Sequence, residues 1–87
     1  MRAVISVVGR DRTGILAFVS AKCAERGINI VDVTQKTLQD MFTMIMIVEV
    51  PSDKDSQAAS ELEELGKGEG LQIHVMHEDI FNAMHTI

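Results

Sequence analysis

The stretch Val7-Val8-Gly9-Arg10-Asp11-Arg12-Thr13-Gly14-Ile15-Leu16, residues 7–16, decides the fold: it passes from a β-branched run through a glycine-bracketed turn into a helical pattern. Gly9 can adopt φ > 0 and lets another molecule approach the backbone, while Gly14 puts no side chain over the first helical turn. The first amides of a helix lack intrahelical partners and carry the positive end of its dipole. A carboxylate or phosphate placed there is held without a dedicated cation. Every strand-turn-helix junction offers such amides, so the motif alone defines a capacity rather than a site.

Upstream, Arg-Ala-Val-Ile-Ser-Val-Val at 2–8 reads as a strand that stops at Gly9. Both alternating sets, Val4, Ser6, Val8 and Ala3, Ile5, Val7, are apolar or small, which predicts cover on both faces. Downstream, from Thr13, the residues Ile15, Phe18, Val19, Lys22, Cys23 and Arg26 follow helical spacing, and Leu16 widens the stripe. Asp11 and Thr13 are candidate caps for its first amides, and Gly27 is its stop.

A second strand is expected from Ile28 to Leu38, but its alternation slips. Ile28 and Ile30 share one face and Val31 and Val33 the other, which predicts a bend or bulge near Ile30. Asp32, Thr34 and Lys36 then make one face polar, as at a sheet edge. After a short turn at Gln39-Asp40, Met41 to Val50 forms a third strand. Its two sets, Phe42, Met44, Met46, Val48, Val50 and Thr43, Ile45, Ile47, Glu49, are again both largely apolar.

Pro51-Ser52-Asp53 breaks that strand and offers a helix cap. Ala58, Ala59, Leu62 and Leu65 mark the buried stripe of a second helix, opposite Glu61, Glu63 and Glu64. The run Gly66-Lys67-Gly68-Glu69-Gly70 is expected to end the helix as a flexible linker. It has neither the preceding strand nor the following Lys-Ser/Thr pair of a phosphate loop. Leu71, Ile73 and Val75 against Gln72, His74 and Met76 give a fourth strand. Residues 79–87 complete the chain as a short amphipathic helix burying Ile80, Phe81, Met84 and Ile87.

The order is βαββαβ with a helical tail. Right-handed crossovers then give an α+β, ferredoxin-like sandwich over residues 1–87: a four-stranded antiparallel sheet in the order 4-1-3-2, with two helices on one face. Strands one and three, apolar on both sides, occupy its centre. Because the helices cover one face only, Ile5, Val7 and alternate residues of strand three are expected to leave an apolar patch on the other, which predicts at least a homodimer.

Composition removes several classes of function. The net charge is −5 and the basic residues are scattered, which argues against a nucleic-acid partner, and three Phe are the only aromatic residues. No stretch approaches about 18 uninterrupted apolar residues, so no membrane association and a cytoplasmic location are expected. The lone Cys23 excludes an internal disulfide and reads as helix packing. His74 and His77, near Glu78, Asp79 and His85, invite a metal hypothesis. They lack the dense Cys/His spacing of a zinc site, and neither a metal nor a cofactor is expected. Met41, Met44 and Met46 read as packing, and no Ser or Cys sits in a nucleophile elbow.

The first loop and Asn29 remain. Asn29 does not lie beside the loop of its own chain in this topology, but it approaches the loop of a second chain if two subunits align their edge strands. Its amide suits the carboxylate and amino groups of an amino acid; the alternative is that it shapes the turn into its strand. Together, the 7–16 stretch, Gly27-Ile28-Asn29-Ile30-Val31-Asp32-Val33-Thr34-Gln35 and Phe42-Thr43-Met44 resemble the ACT domain. Over essentially the whole chain, the sequence is similar to stand-alone prokaryotic ACT proteins that end in a segment like Ile80-Phe81-Asn82-Ala83-Met84.

That resemblance implies dimers binding amino acids or other small effectors at subunit interfaces. The implied contacts are Gly9, Asp11, Gly14, Ile15 and Leu16 from the loop, with Asn29 and Ile30 from the neighbour. Thr13 stands where many members have Pro, which leaves the turn less preorganised. Similar stand-alone proteins are likened to regulators of the glycine cleavage system, although no DNA-binding element is visible here. The expected function is therefore a non-enzymatic regulatory module sensing an amino acid or similar anionic metabolite. The alternatives are a protein-interaction or oligomerisation module without ligand, and an acylphosphatase-like hydrolase using Arg10, Arg12 and Asn29.

Overall fold

Side-chain alternation along β1 (Arg2–Arg10) divides the molecule into a covered and an uncovered sheet face. Ala3, Ile5 and Val7 are fully buried among Ile15, Val19, Cys23, Ala58 and Leu62 of the two helices above them. The structure is a computed structural model that describes residues 1–51 and 55–85, leaving out the side chains at 55, 56, 84 and 85. It contains β1, α1 (Ile15–Glu25), β2 (Asn29–Leu38), β3 (Met41–Glu49), α2 (Asp55–Gly68), β4 (Leu71–His77) and α3 (Glu78–His85). The antiparallel sheet has the order β2-β3-β1-β4, the ferredoxin-like arrangement expected. The cap expected at Ser52 and Asp53, and the burial expected of Met84 and Ile87, lie outside the described residues.

Register fixes which side of each strand is inside. Ile5 stands opposite Met46 and Val7 opposite Met44, and all four are buried on the helix side. The expectation that Ile5 and Val7 face outward is therefore corrected. The uncovered face instead carries Val8 and Ile45, with half-buried Ser6, Thr43 and Ile47 between them. Toward its Arg2 end this face is occupied by α3, which packs on β1 and β4; Arg2 Nε meets Glu78 at 3.4 Å and Val4 is only 5% exposed. Ile80, expected to be buried, is 55% exposed. Each fully buried aliphatic side chain of the covered face contributes about 1.5–3 kcal/mol of transfer free energy.

The bulge read from the slipping alternation of β2 is present: the β2-β3 register shifts between Ile30 and Asp32, with Val31 as the extra residue. Helix α1 ends in a Schellman motif. Gly27, at φ 71, donates to Ala24 O and Ile28 N donates to Cys23 O, and the buried Ile28 and Cys23 supply the accompanying apolar contact.

Two glycine readings change. β1 does not stop before Gly9 but runs through it, pairing Gly9 with Phe42 and Leu71. Its φ is not positive; the requirement is close approach, since an added Cβ would come 2.6 Å from Leu71 Cδ2. Likewise α2 continues through Gly66 to Gly68. A Cβ on Gly66 would stand 2.7 Å from Ile73 Cγ1 and 2.9 Å from Leu71 O, so this glycine seats the helix against β4 rather than ending it.

Candidate functional site

The β1–α1 turn is tied from both sides. Asp11 N donates to Asp40 O at 2.7 Å, joining the turn to the β2–β3 hairpin, and Arg12 Nη2 donates to Glu69 Oε1 at 2.9 Å, joining it to the approach to β4. Between these anchors the helix begins at Gly14, an exposed residue with φ 90 and ψ 8 and no side-chain cap. The caps expected from Asp11 and Thr13 do not form. The capping position is the residue immediately before Ile15, and Gly14 occupies it.

The first intrahelical bond runs from Phe18 N to Gly14 O at 2.9 Å, so the amides of Ile15, Leu16 and Ala17 precede the helical ladder. With no acidic residue in the first turn, the positive end of the helix is uncompensated. Ile15 sends its side chain into the core at 1% exposure, which anchors the helix start and leaves only its backbone to the outside. Leu16, expected to widen the buried stripe, is 37% exposed beside these amides.

Asn29 is exposed at the far end of the sheet. It pairs with Glu49, which pairs with Arg2, whereas Gly9 pairs with Phe42. The seven-residue step from Arg2 to Gly9 along β1 corresponds to roughly 23 Å. Gly9, Asp11, Gly14, Ile15 and Leu16 are thus gathered at one end of the sheet, with Asn29 and the half-buried Ile30 at the other. The hydrolase arrangement is not assembled within one chain, because Arg12 is held by Glu69 and Asn29 is remote.

Two concavities were not legible in the sequence. A groove of about 590 Å³ between α1 and α2 has Phe18 and Leu65 in its lining, and its cations are compensated locally: Arg26 Nε lies 2.7 Å from Glu61 Oε1 and Lys22 Nζ 5.7 Å from the Phe18 ring centre. A second pocket, of about 390 Å³, opens on the uncovered sheet face beside Asp40 and Met41.

His74, opposite Ser6, and His77, opposite Ala3, fall on opposite faces of β4. His77 Nδ1 accepts from Asp79 N at 3.0 Å, and among the described residues no three His, Cys, Asp or Glu are grouped to hold a metal. Cys23 is buried, and burial pushes its thiol pKa up against the opposing pull of Arg26. No helix among the described residues is long and apolar enough to cross a membrane.

The two crossover helices on a four-stranded sheet, with a glycine-headed first helix, define a ferredoxin-like fold of the kind that serves as a regulatory module for small molecules. The chain belongs to the ACT domain family, whose model matches residues 2–76. It is 48% identical over 94 residues to a UPF0237 protein of Listeria monocytogenes, covering 100% of both chains. A UPF0237 protein of Methanocaldococcus jannaschii is 46% identical over 88 residues, covering 99% of this chain and 98% of the relative.

Among solved structures, an ACT domain protein from Streptococcus pneumoniae superposes with a TM-score of 0.84 at 38% identity over 98% of each chain. A candidate glycine cleavage system transcriptional repressor gives 0.79 at 26% identity, over 88% of this chain and 47% of the other. The regulatory subunit of aspartate kinase from Thermus thermophilus gives 0.71 at 27%, over 88% and 51%.

Proposed function

We propose that this protein is a non-enzymatic, cytoplasmic regulatory module that binds an amino acid or similar small anionic metabolite within a homodimer. The observation that carries the reading is the start of α1: Gly14 leaves the amides of Ile15, Leu16 and Ala17 without a side-chain cap or an acid in the first helical turn, in a turn already fixed by Asp40 and Glu69. A carboxylate there gains charge-assisted hydrogen bonds without reorganising the loop.

The partner's contribution follows from the separation within one chain. Edge strand β2 carries Asn29 at one end and Leu38 at the other, and Leu38 belongs to the same sheet end as Gly9. Antiparallel pairing of two β2 edges brings the Asn29 of one subunit toward the turn of the other, where its amide serves the ligand's amino group. In this reading Asp11 answers the same charge, and Leu16 and Ile30 supply apolar contact. The likeness to a candidate repressor and to an aspartate kinase regulatory subunit supports a regulatory role. Ligand binding shifts the association of the subunits in proportion to its preference for the paired state.

The test is thermal unfolding of the full chain against each amino acid at millimolar concentration, with light scattering on the same samples. At least one amino acid raises the midpoint and stabilises the dimer, and Asn29→Ala abolishes the effect of that amino acid on association seen by light scattering. A monomer indifferent to every amino acid overturns the reading.

A further inference from the structure

We propose that the pocket on the uncovered sheet face is a second small-molecule site, complete within one chain, for a zwitterion carrying a carboxylate and an ammonium group. It is lined by Val8, Arg10, Asp40, Met41, Gly70 and Gln72, and its volume of about 390 Å³ suits a small metabolite. The long-range registers of β1 bring these residues together: Arg10 pairs with Met41 and Val8 with Gln72, all on the face away from α1 and α2, and Asp40 lies in the turn that precedes Met41.

The charges identify the ligand class. Arg2, Arg12 and Arg26 each meet a glutamate, at 3.4, 2.9 and 2.7 Å. Arg10, by contrast, has no carboxylate partner among the described residues, and the Asp40 carboxylate has no cation. Both residues line the same pocket without pairing to each other, so one cationic and one anionic group border it unpaired. A ligand with its own carboxylate and ammonium satisfies both, through the planar fork of the guanidinium at one side and the carboxylate at the other. The Gln72 amide adds a donor and an acceptor, and Val8 and Met41, 36% and 45% exposed, offer contact to a short apolar side chain. A carboxylate alone leaves Asp40 unanswered, and an amine alone leaves Arg10 so.

The pocket also communicates with the turn before α1. The Asp40 carbonyl that accepts from Asp11 N belongs to a pocket residue, so a ligand held by Asp40 stiffens the loop that carries Gly14. This site needs neither Asn29 nor a second subunit, which separates it from the interface reading above.

The experiment is an amide-resolved NMR titration of the full chain with each of the common amino acids, followed by the deamino and decarboxy analogues of whichever binds; for L-valine these are isovalerate and isobutylamine. At least one amino acid shifts the amides of Arg10, Asp40, Met41 and Gln72 at a midpoint independent of protein concentration. Both analogues bind at least about tenfold more weakly, as do Arg10→Gln and Asp40→Asn, while Asn29→Ala binds as the parent does. Arg10 and Asp40 are exposed, and an unchanged spectrum elsewhere verifies that the variants fold. The proposal is overturned if no amino acid moves these amides, if binding survives both charge substitutions, or if it depends on Asn29 or on protein concentration.

Discussion

Arg12 and Glu69, 57 positions apart in the chain, meet through Nη2 and Oε1 at 2.9 Å and close the β1–α1 turn against the segment leading into β4. Both side chains are about two-fifths exposed, at 40% and 43%, so solvent screens the attraction. Arg12→Ala is expected to lower stability by less than about 1 kcal/mol in urea denaturation, and the difference should shrink further in high salt. A loss well above that would show that the turn relies on this pair rather than on the Asp11–Asp40 bond.

The two glycines near the end of α2 should respond in opposite directions. Gly66→Ala forces a Cβ against Ile73 and the Leu71 carbonyl, and this crowding is expected to cost about 1–3 kcal/mol after the gain in helix propensity is counted. Around Gly68 nothing lies within 4 Å, so Gly68→Ala should gain up to about 1 kcal/mol. Paired chemical denaturation of the two variants checks the sign of each.

Gly14 tests the helix start. At φ 90, a Cβ strains the backbone although nothing lies within 4 Å of it, and Gly14→Ala should cost about 1–2 kcal/mol. Gly14→Asn should cost less, since Asn tolerates left-handed backbone. An Ala variant as stable as the parent would mean that the turn relaxes to another conformation.

The Cys23 thiol has its native pKa raised by burial, which makes stability depend on alkaline pH. Well below the ordinary thiol value of 9.0, folded and unfolded chains both hold the proton and the group contributes no slope. Above that value the unfolded chain releases a proton that the folded chain keeps, so stability falls as pH rises until the native pKa is passed. The parent should therefore lose stability relative to Cys23→Ala across this range. Alkylation of Cys23 should track unfolding rather than proceed from the native state.

The strand order and the β2 bulge were legible because β1 and β3 carry apolar residues in both alternating sets and because Val31 breaks an otherwise regular period. That same doubling hid which set faces the helices: with Val4, Val8 and Ile5, Val7 equally apolar, only the pairing of Ile5 with Met46 and Val7 with Met44 fixes the inside. Gly66 looked like a helix breaker because sequence reports the absence of a side chain but not the neighbour that requires it. Of the site, the glycine-headed turn was readable from local spacing, whereas Asp11 and Thr13 misled as caps by standing too far ahead of Ile15. Arg10, Asp40 and Gln72 come together only through the β1–β3 and β1–β4 registers, and no local pattern announces that meeting.

The bare backbones at Gly9 and Gly66 flank β4, with Leu71 pressed to the first and Ile73 to the second. The strand is consequently keyed: a slip by one position would drive Gln72 or His74 into clefts shaped for aliphatic carbon. Since both flanks precede β4 in the chain, both clefts are synthesised before the strand that fills them. A polypeptide emerging from the ribosome therefore leaves one side of β1 open until the last strand arrives, and that interval is when a like-minded neighbour or a chaperone has its opportunity.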